Sequence, residues 1–108
     1  MTSFEKQILV VIKDPGQEPR VDPLFDNTLE AFQKAVGGYI ETVTVFRDLV
    51  LIVNEEGRIL GLPYNCHFCG MPIYGPVVAA FTRGVNFASI PASCVPMIMK
   101  ELKEENEK

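Results

Sequence analysis

The sequence has no apolar run approaching the ~20 residues of a membrane-spanning helix, so no such span is expected. Its first residues, MTSFEKQ, are polar and charged, and the apolar run behind them is only ILVVI. That pattern is not a secretory leader, and a cytoplasmic location is the expectation. An excess of basic charge is missing too. Ten Lys and Arg stand against fourteen Asp and Glu, a formal net charge of −4. A duplex nucleic acid or an anionic membrane surface requires a basic footprint, so neither is expected as a partner. Dense acidic runs, which a DNA mimic would need, are also lacking. The one acidic cluster, Glu101, Glu104, Glu105 and Glu107, is interrupted by Lys100, Lys103 and Lys108 and reads as a solvated helix end.

Histidine occurs once, at His67, and cysteine three times, at Cys66, Cys69 and Cys94. An odd number of cysteines in a reducing compartment suggests thiols or ligands rather than a disulfide framework. CHFCG has the spacing of one zinc-ribbon knuckle, but a structural zinc site needs four ligands and the second pair is missing. Cys94 could supply a third ligand, and a dimer could pool two Cys66/Cys69 pairs. A zinc-binding module is therefore the alternative reading. The first expectation is no cofactor, with CHFCG a solvent-facing loop. Catalysis by a Cys66–His67 pair is disfavoured because neighbours on an extended chain point to opposite sides. No second histidine exists, and the glycine and prolines around Cys69 oppose the helix start of a thioredoxin-like pair. Gly37-Gly38 follows a helix, so it presents the wrong dipole end for a phosphate cradle. An enzyme is the third reading.

What is present points to one globular domain over residues 1–108, with an ordered core of about 6–103 and a charged C-terminal tail. The 47% hydrophobic and 22% charged content of the 108 residues supports one modest core. QILVVIK reads as a buried central strand. DPGQEPRVDPL, with three prolines, reads as a surface connection with an extended piece near Val21. Asn27 and Glu30 have capping-box spacing before a Leu29, Phe32, Val36 stripe, and Gly37 occupies the left-handed stop position. YIETVTVF alternates like a strand with one half-exposed face. Arg47-Asp48 is a tight reversal and LVLIV a central strand. Asn54-Glu55-Glu56-Gly57 reads as a hairpin turn, with Gly57 free to take positive φ and RILGL returning as a strand. GPVVAAFTR is another strand. Ser93 then caps a last helix with Pro96 in its first turn and Val95, Ile98, Met99 and Leu102 as its apolar stripe. A start near Pro91 would instead make Pro96 a kink. Phe32, Phe46 and Phe81 are assigned to the core. Tyr64, Phe68, Tyr74 and Phe87 lie nearer loops and would form a protein-contact patch if exposed together.

These elements predict an α+β fold: a mainly antiparallel, twisted sheet of about five strands with two helices. The first strand, the helix and the second strand form a crossover unit, right-handed if those strands are parallel.

Three segments, DNTLEAFQKAVGGYIETVTV, LVLIVNEEGRILGLPYN and IYGPVVAAF, resemble the small bacterial and phage family called domain of unknown function 3846. The resemblance runs from Ile8 to the last helix. It implies an α+β domain of gut bacteria, phages and mobile elements, and no assigned activity. Cys66, His67 and Cys69 fall between the shared Asn65 and the shared Ile73-Tyr74-Gly75, outside the family pattern. The cysteine segment is then a feature of this member. The expected function is non-catalytic binding or regulation, with another protein as partner and no sequence feature that sets an oligomeric state. Asn65, which matches the family pattern, is the leading surface candidate, joined by Tyr64, Asn54 and Glu55.

Overall fold

The structure is a computed structural model that describes residues 5–103. In chain order its elements are β1 (Gln7–Lys13), β2 (Arg20–Asp26), α1 (Leu29–Val36), β3 (Ile40–Phe46), β4 (Leu49–Asn54), β5 (Tyr64–Phe68), β6 (Met71–Tyr74), β7 (Val77–Arg83), β8 (Asn86–Ala88), a short 3₁₀ turn (Ala92–Cys94) and α2 (Val95–Lys103). The far end of the acidic cluster, Glu104, Glu105, Glu107 and Lys108, lies outside the described residues.

Strands β1, β4 and β7 are apolar at almost every position, so both of their faces must be covered. They form the middle of one antiparallel sheet in the order β2-β1-β7-β4-β3, with β8 pairing the far half of β7. Successive side chains alternate between two cores. Ile8, Val10, Ile12, Val50, Ile52, Val78 and Ala80 pack with Phe32 and Val36 of α1. Val11, Leu49, Leu51, Val77 and Ala79 face the other way, onto Ile98 and Leu102 of α2 and onto Cys66, Phe68 and Ile73 of the β5–β6 hairpin. The domain is thus three layers: α1, the sheet, and a mixed layer of α2 with the hairpin. This is the expected α+β fold with a mainly antiparallel sheet and two helices.

Several local expectations are corrected. The proline-rich segment is not a mere connection, because Arg20–Asp26 is strand β2. Pro23 is tolerated there because β2 is an edge strand and Pro23 and Leu24 sit in a bulge between the Ile8↔Phe25 and Val10↔Asp22 pairs. The crossover unit is also different. Helix α1 joins β2 to β3, the two opposite edges of the sheet, and β1 pairs antiparallel with its neighbours.

The N-cap of α1 is Thr28, whose hydroxyl accepts from Ala31 N at 3.1 Å, and not Asn27. Asn27 is buried and donates through Nδ2 to the carbonyls of Glu5 and Phe87 at 2.9 and 3.1 Å. Leu29 is exposed, so the buried stripe of the helix is Phe32 and Val36. Gly37 does stop the helix in the left-handed region, at φ 80°. Gly57 does not take positive φ. Its position excludes a side chain because a Cβ there would lie 2.7 Å from Tyr74 O. RILGL is a series of turns rather than a strand, held by Leu60 N donating to Glu56 O and Leu62 N to Gly57 O. At the last helix, the 3₁₀ turn runs up to α2 without a side-chain cap, and Ser93 lies within it. Pro96 falls in the first turn of α2, where no intrahelical N–H is needed.

Candidate protein-contact site

The sequence-derived candidates separate into two groups. Asn65 and Asn54 are structural. Asn65 is 3% exposed, and its amide ties three segments of the chain together. Oδ1 accepts from Lys13 Nζ at 2.8 Å, while Nδ2 donates to the carbonyls of Lys13 and Gly75, both at 2.8 Å. Lys13 is itself 2% exposed, so a buried amine is held mainly by that one amide. Asn54 is 5% exposed and bridges the end of α1 to the following turn. Its Nδ2 donates to Val36 O at 3.1 Å, and its Oδ1 accepts from Glu56 N at 2.7 Å. Gly38 is fixed by this neighbour, since a Cβ there would lie 2.8 Å from Asn54 Nδ2.

Glu55 and Tyr64 are exposed and belong to one side of the molecule. Register places Glu41 opposite Val53 and Val43 opposite Leu51, so these β3 residues share the face that carries α2 and the hairpin. The hairpin does not fully cover that face near the β3 edge. A hollow of about 350 Å³ remains there. Val43, Val53 and Ile73 give it apolar walls, and Glu41, Glu55 and Glu56 give it an acidic rim. Among the described residues none of these three carboxylates has an ion-pair partner. Arg58 also lines the hollow, with its guanidinium carbon 5.2 Å from the centre of the Tyr74 ring. Tyr74 packs edge-on against Tyr64 at 5.8 Å, and the Tyr64 hydroxyl hydrogen-bonds His67 Nδ1.

A second hollow, of about 230 Å³, lies at the other end of β3. Phe46, Leu49, Phe81, Cys94, Met97 and Ile98 give it apolar walls, and Arg47 and Asp48 also line it. Phe46, expected in the core, is 63% exposed here. A bulge between Thr44 and Phe46 turns its ring outward at the sheet edge. Glu41, Arg58 and Phe46 were not among the sequence candidates. The signal for Glu41 was a charge on the strand face that it shares with Val43 and Val45, where alternation alone would place an apolar residue.

CHFCG is not a loop. Cys66 and Phe68 lie in β5 and are buried in the α2-side core, whereas His67 points outward. The opposed directions of Cys66 and His67 follow the alternation of a strand. Cys69 is exposed at the hairpin turn with φ 51°, and Cys94 is half-buried beside α2. The fold therefore sets Cys66 and Cys69 in unlike surroundings. Among the described residues, no three His, Cys, Asp or Glu side chains group so as to hold a metal ion. No helix among them is long and apolar enough to cross a membrane.

Residues 7–104 match the family model described as Domain of unknown function (DUF3846). No curated protein and no solved structure matches the chain.

Proposed function

We propose that this chain, which belongs to the domain of unknown function 3846 family, is a small non-catalytic binding or regulatory domain. It acts in the cytoplasm of a bacterium as part of a phage or mobile element, and its partner is another protein. The contact surface is the β3 side of the domain. The observation that carries this reading is a seven-residue edge strand without proline, flanked on one face by two hollows with apolar walls. Phe46, Ile59, Leu60 and Tyr64 are exposed large residues near these hollows or on the adjoining turn and hairpin. Exposed aromatic and aliphatic groups beside a polar rim are the composition of a protein interface.

Photocrosslinking in the native host tests the reading. A benzophenone amino acid replaces Phe46 or Glu55 on this side, and Leu24 or Val85 on surfaces away from it. Discrete protein adducts are expected from the first pair and not from the second. Adducts from neither pair, or equally from both, would overturn the assignment of the surface.

A further inference from the structure

Resting on that reading of the surface, we infer that its occupant is an extended polypeptide segment that adds to β3 as a further strand and sets a basic side chain opposite Glu41. The argument starts with the backbone. Tyr39 O accepts from Glu55 N at 2.9 Å, one residue beyond the Ile40↔Asn54 pair. In an antiparallel ladder, bonded and non-bonded pairs alternate. The bonded pairs of β3 and β4 are therefore Glu41 with Val53 and Val43 with Leu51. It follows that Ile40, Thr42 and Thr44 turn their N–H and C=O groups away from β4, along an edge that no other strand covers among the described residues.

The other edges of this sheet are blunted and β3 is not. Strand β2 carries Pro23 and a bulge, and β8 is only three residues long. Proline, bulges and short length are the devices by which edges avoid pairing. The single bulge of β3 lies at its far end, between Thr44 and Phe46, and leaves Ile40–Thr44 in regular register. An open edge with hydrogen-bonding groups in register is the feature that strand-adding partners use.

The side chains then select the partner. In an added strand, the residues facing Glu41 and Val43 project on the same face as those two, toward the acidic hollow. Glu41, Glu55 and Glu56 supply three carboxylates without ion-pair partners among the described residues, against one Arg58 engaged with Tyr74. A Lys or Arg opposite Glu41 meets this charge, and apolar residues further along meet Val43 and the Phe46–Met97 hollow. A second copy of this chain fits less well. Edge-to-edge pairing of two β3 strands would bring two chains of net charge −4 together and add three more acidic side chains to the same surface.

The test uses two capped synthetic octapeptides of alternating threonine and apolar residues. One carries two lysines near one end, and its twin carries two glutamates there. Amide hydrogen exchange and chemical-shift titration are followed by NMR on the full chain. The lysine peptide is expected to slow exchange at Ile40, Thr42 and Thr44. Its affinity should exceed that of the glutamate twin by about tenfold or more and should fall with added salt. The combined Glu41→Gln, Glu55→Gln, Glu56→Gln variant should remove that preference. Thr42→Pro deletes one outward N–H while leaving the ladder to β4 intact, and should abolish binding with the thermal midpoint little changed. Chemical shifts at Phe46 and Glu55 without protection of the three amides would overturn strand addition and leave the contact surface standing. Equal affinity for the two peptides would overturn the basic partner. Binding of neither peptide, when crosslinks form at Phe46 or Glu55, would overturn the inference alone.

Discussion

Replacing Asn65 by Ala should destabilise the domain far more than its position in a Gly- and Pro-framed segment suggests. The side chain makes three hydrogen bonds of 2.8 Å in a buried site, two of them to Lys13. The bond from Lys13 Nζ involves a charged donor, for which the net contribution is about 1.5–3 kcal/mol, and each carbonyl bond contributes about 1 kcal/mol. The sum is about 3.5–5 kcal/mol, provided water does not enter the vacated space. Among the described residues, the only other hydrogen bond of Lys13 Nζ is a long one, 3.5 Å, to Asp14 O. The amine therefore cannot be satisfied by its present neighbours. With a urea dependence of about 2 kcal/mol per molar, the midpoint should fall by about 2 M. A double-mutant cycle with Lys13→Met isolates the pair. Removing both partners should cost less than the sum of the single changes, by about 1–3 kcal/mol, because neither mutant then leaves the other polar group stranded. A midpoint shift below about 0.5 M for Asn65→Ala, or strict additivity in the cycle, would refute the claim that this brace joins β1 to the hairpin.

Thr28→Ala should cost about 1 kcal/mol through loss of the α1 cap. Asn27→Ala should cost at least as much, and Asn27→Ser should not rescue it, because Asn27 bonds Glu5 and Phe87 carbonyls and caps nothing; urea titration of the three variants separates the roles. Gly57→Ala should be more damaging than Gly37→Ala: the first drives a Cβ to 2.7 Å from a backbone oxygen, while the second meets open space and carries only the left-handed penalty of about 1–2 kcal/mol. Ellman's reagent should modify Cys69 first, Cys94 more slowly and Cys66 only on unfolding, given their graded burial. Protein purified without chelator should contain less than one zinc per two chains by elemental analysis, and a stoichiometric metal lost in Cys69→Ser would reverse that expectation.

The elements legible in the sequence were those whose burial is written as a period. β1, β4 and β7 are continuous apolar runs because both faces of each are covered, and β3 alternates because only part of it is. Gly37 marked the end of α1 because a left-handed stop leaves few alternatives to glycine. Local rules failed where two residues could play the same part. Asn27 and Thr28 are both good caps, and only the position of the Glu5 and Phe87 carbonyls decides that Asn27 is committed elsewhere. Gly57 looked like a residue chosen for positive φ, yet its constraint is Tyr74 O, seventeen residues away and invisible to any turn rule.

The same limit explains the candidate site. Asn65 was singled out as a surface candidate because it matches the family pattern, and the local alternative was an asparagine bonding its own backbone in a turn. Its true partners, Lys13 and Gly75, come from β1 and the connection into β7, and a long-range polar contact leaves no periodic trace. Glu41 shows the converse. Alternation put it on the face of Val43 and Val45, so its exposure had to be read from its charge, and exposure alone gives a charge no role. The role proposed for it depends on the fold leaving β3 on an edge and bringing Glu55 and Glu56 from the following turn to the same hollow. Periodicity therefore says which residues face outward, while the order of strands says which outward residues can meet a partner. Here the order β2-β1-β7-β4-β3 puts the proline-bearing strand on one edge and the open, acid-rimmed strand on the other. The proposed binding surface on the β3 side rests on that asymmetry, and no single motif in the chain contains it.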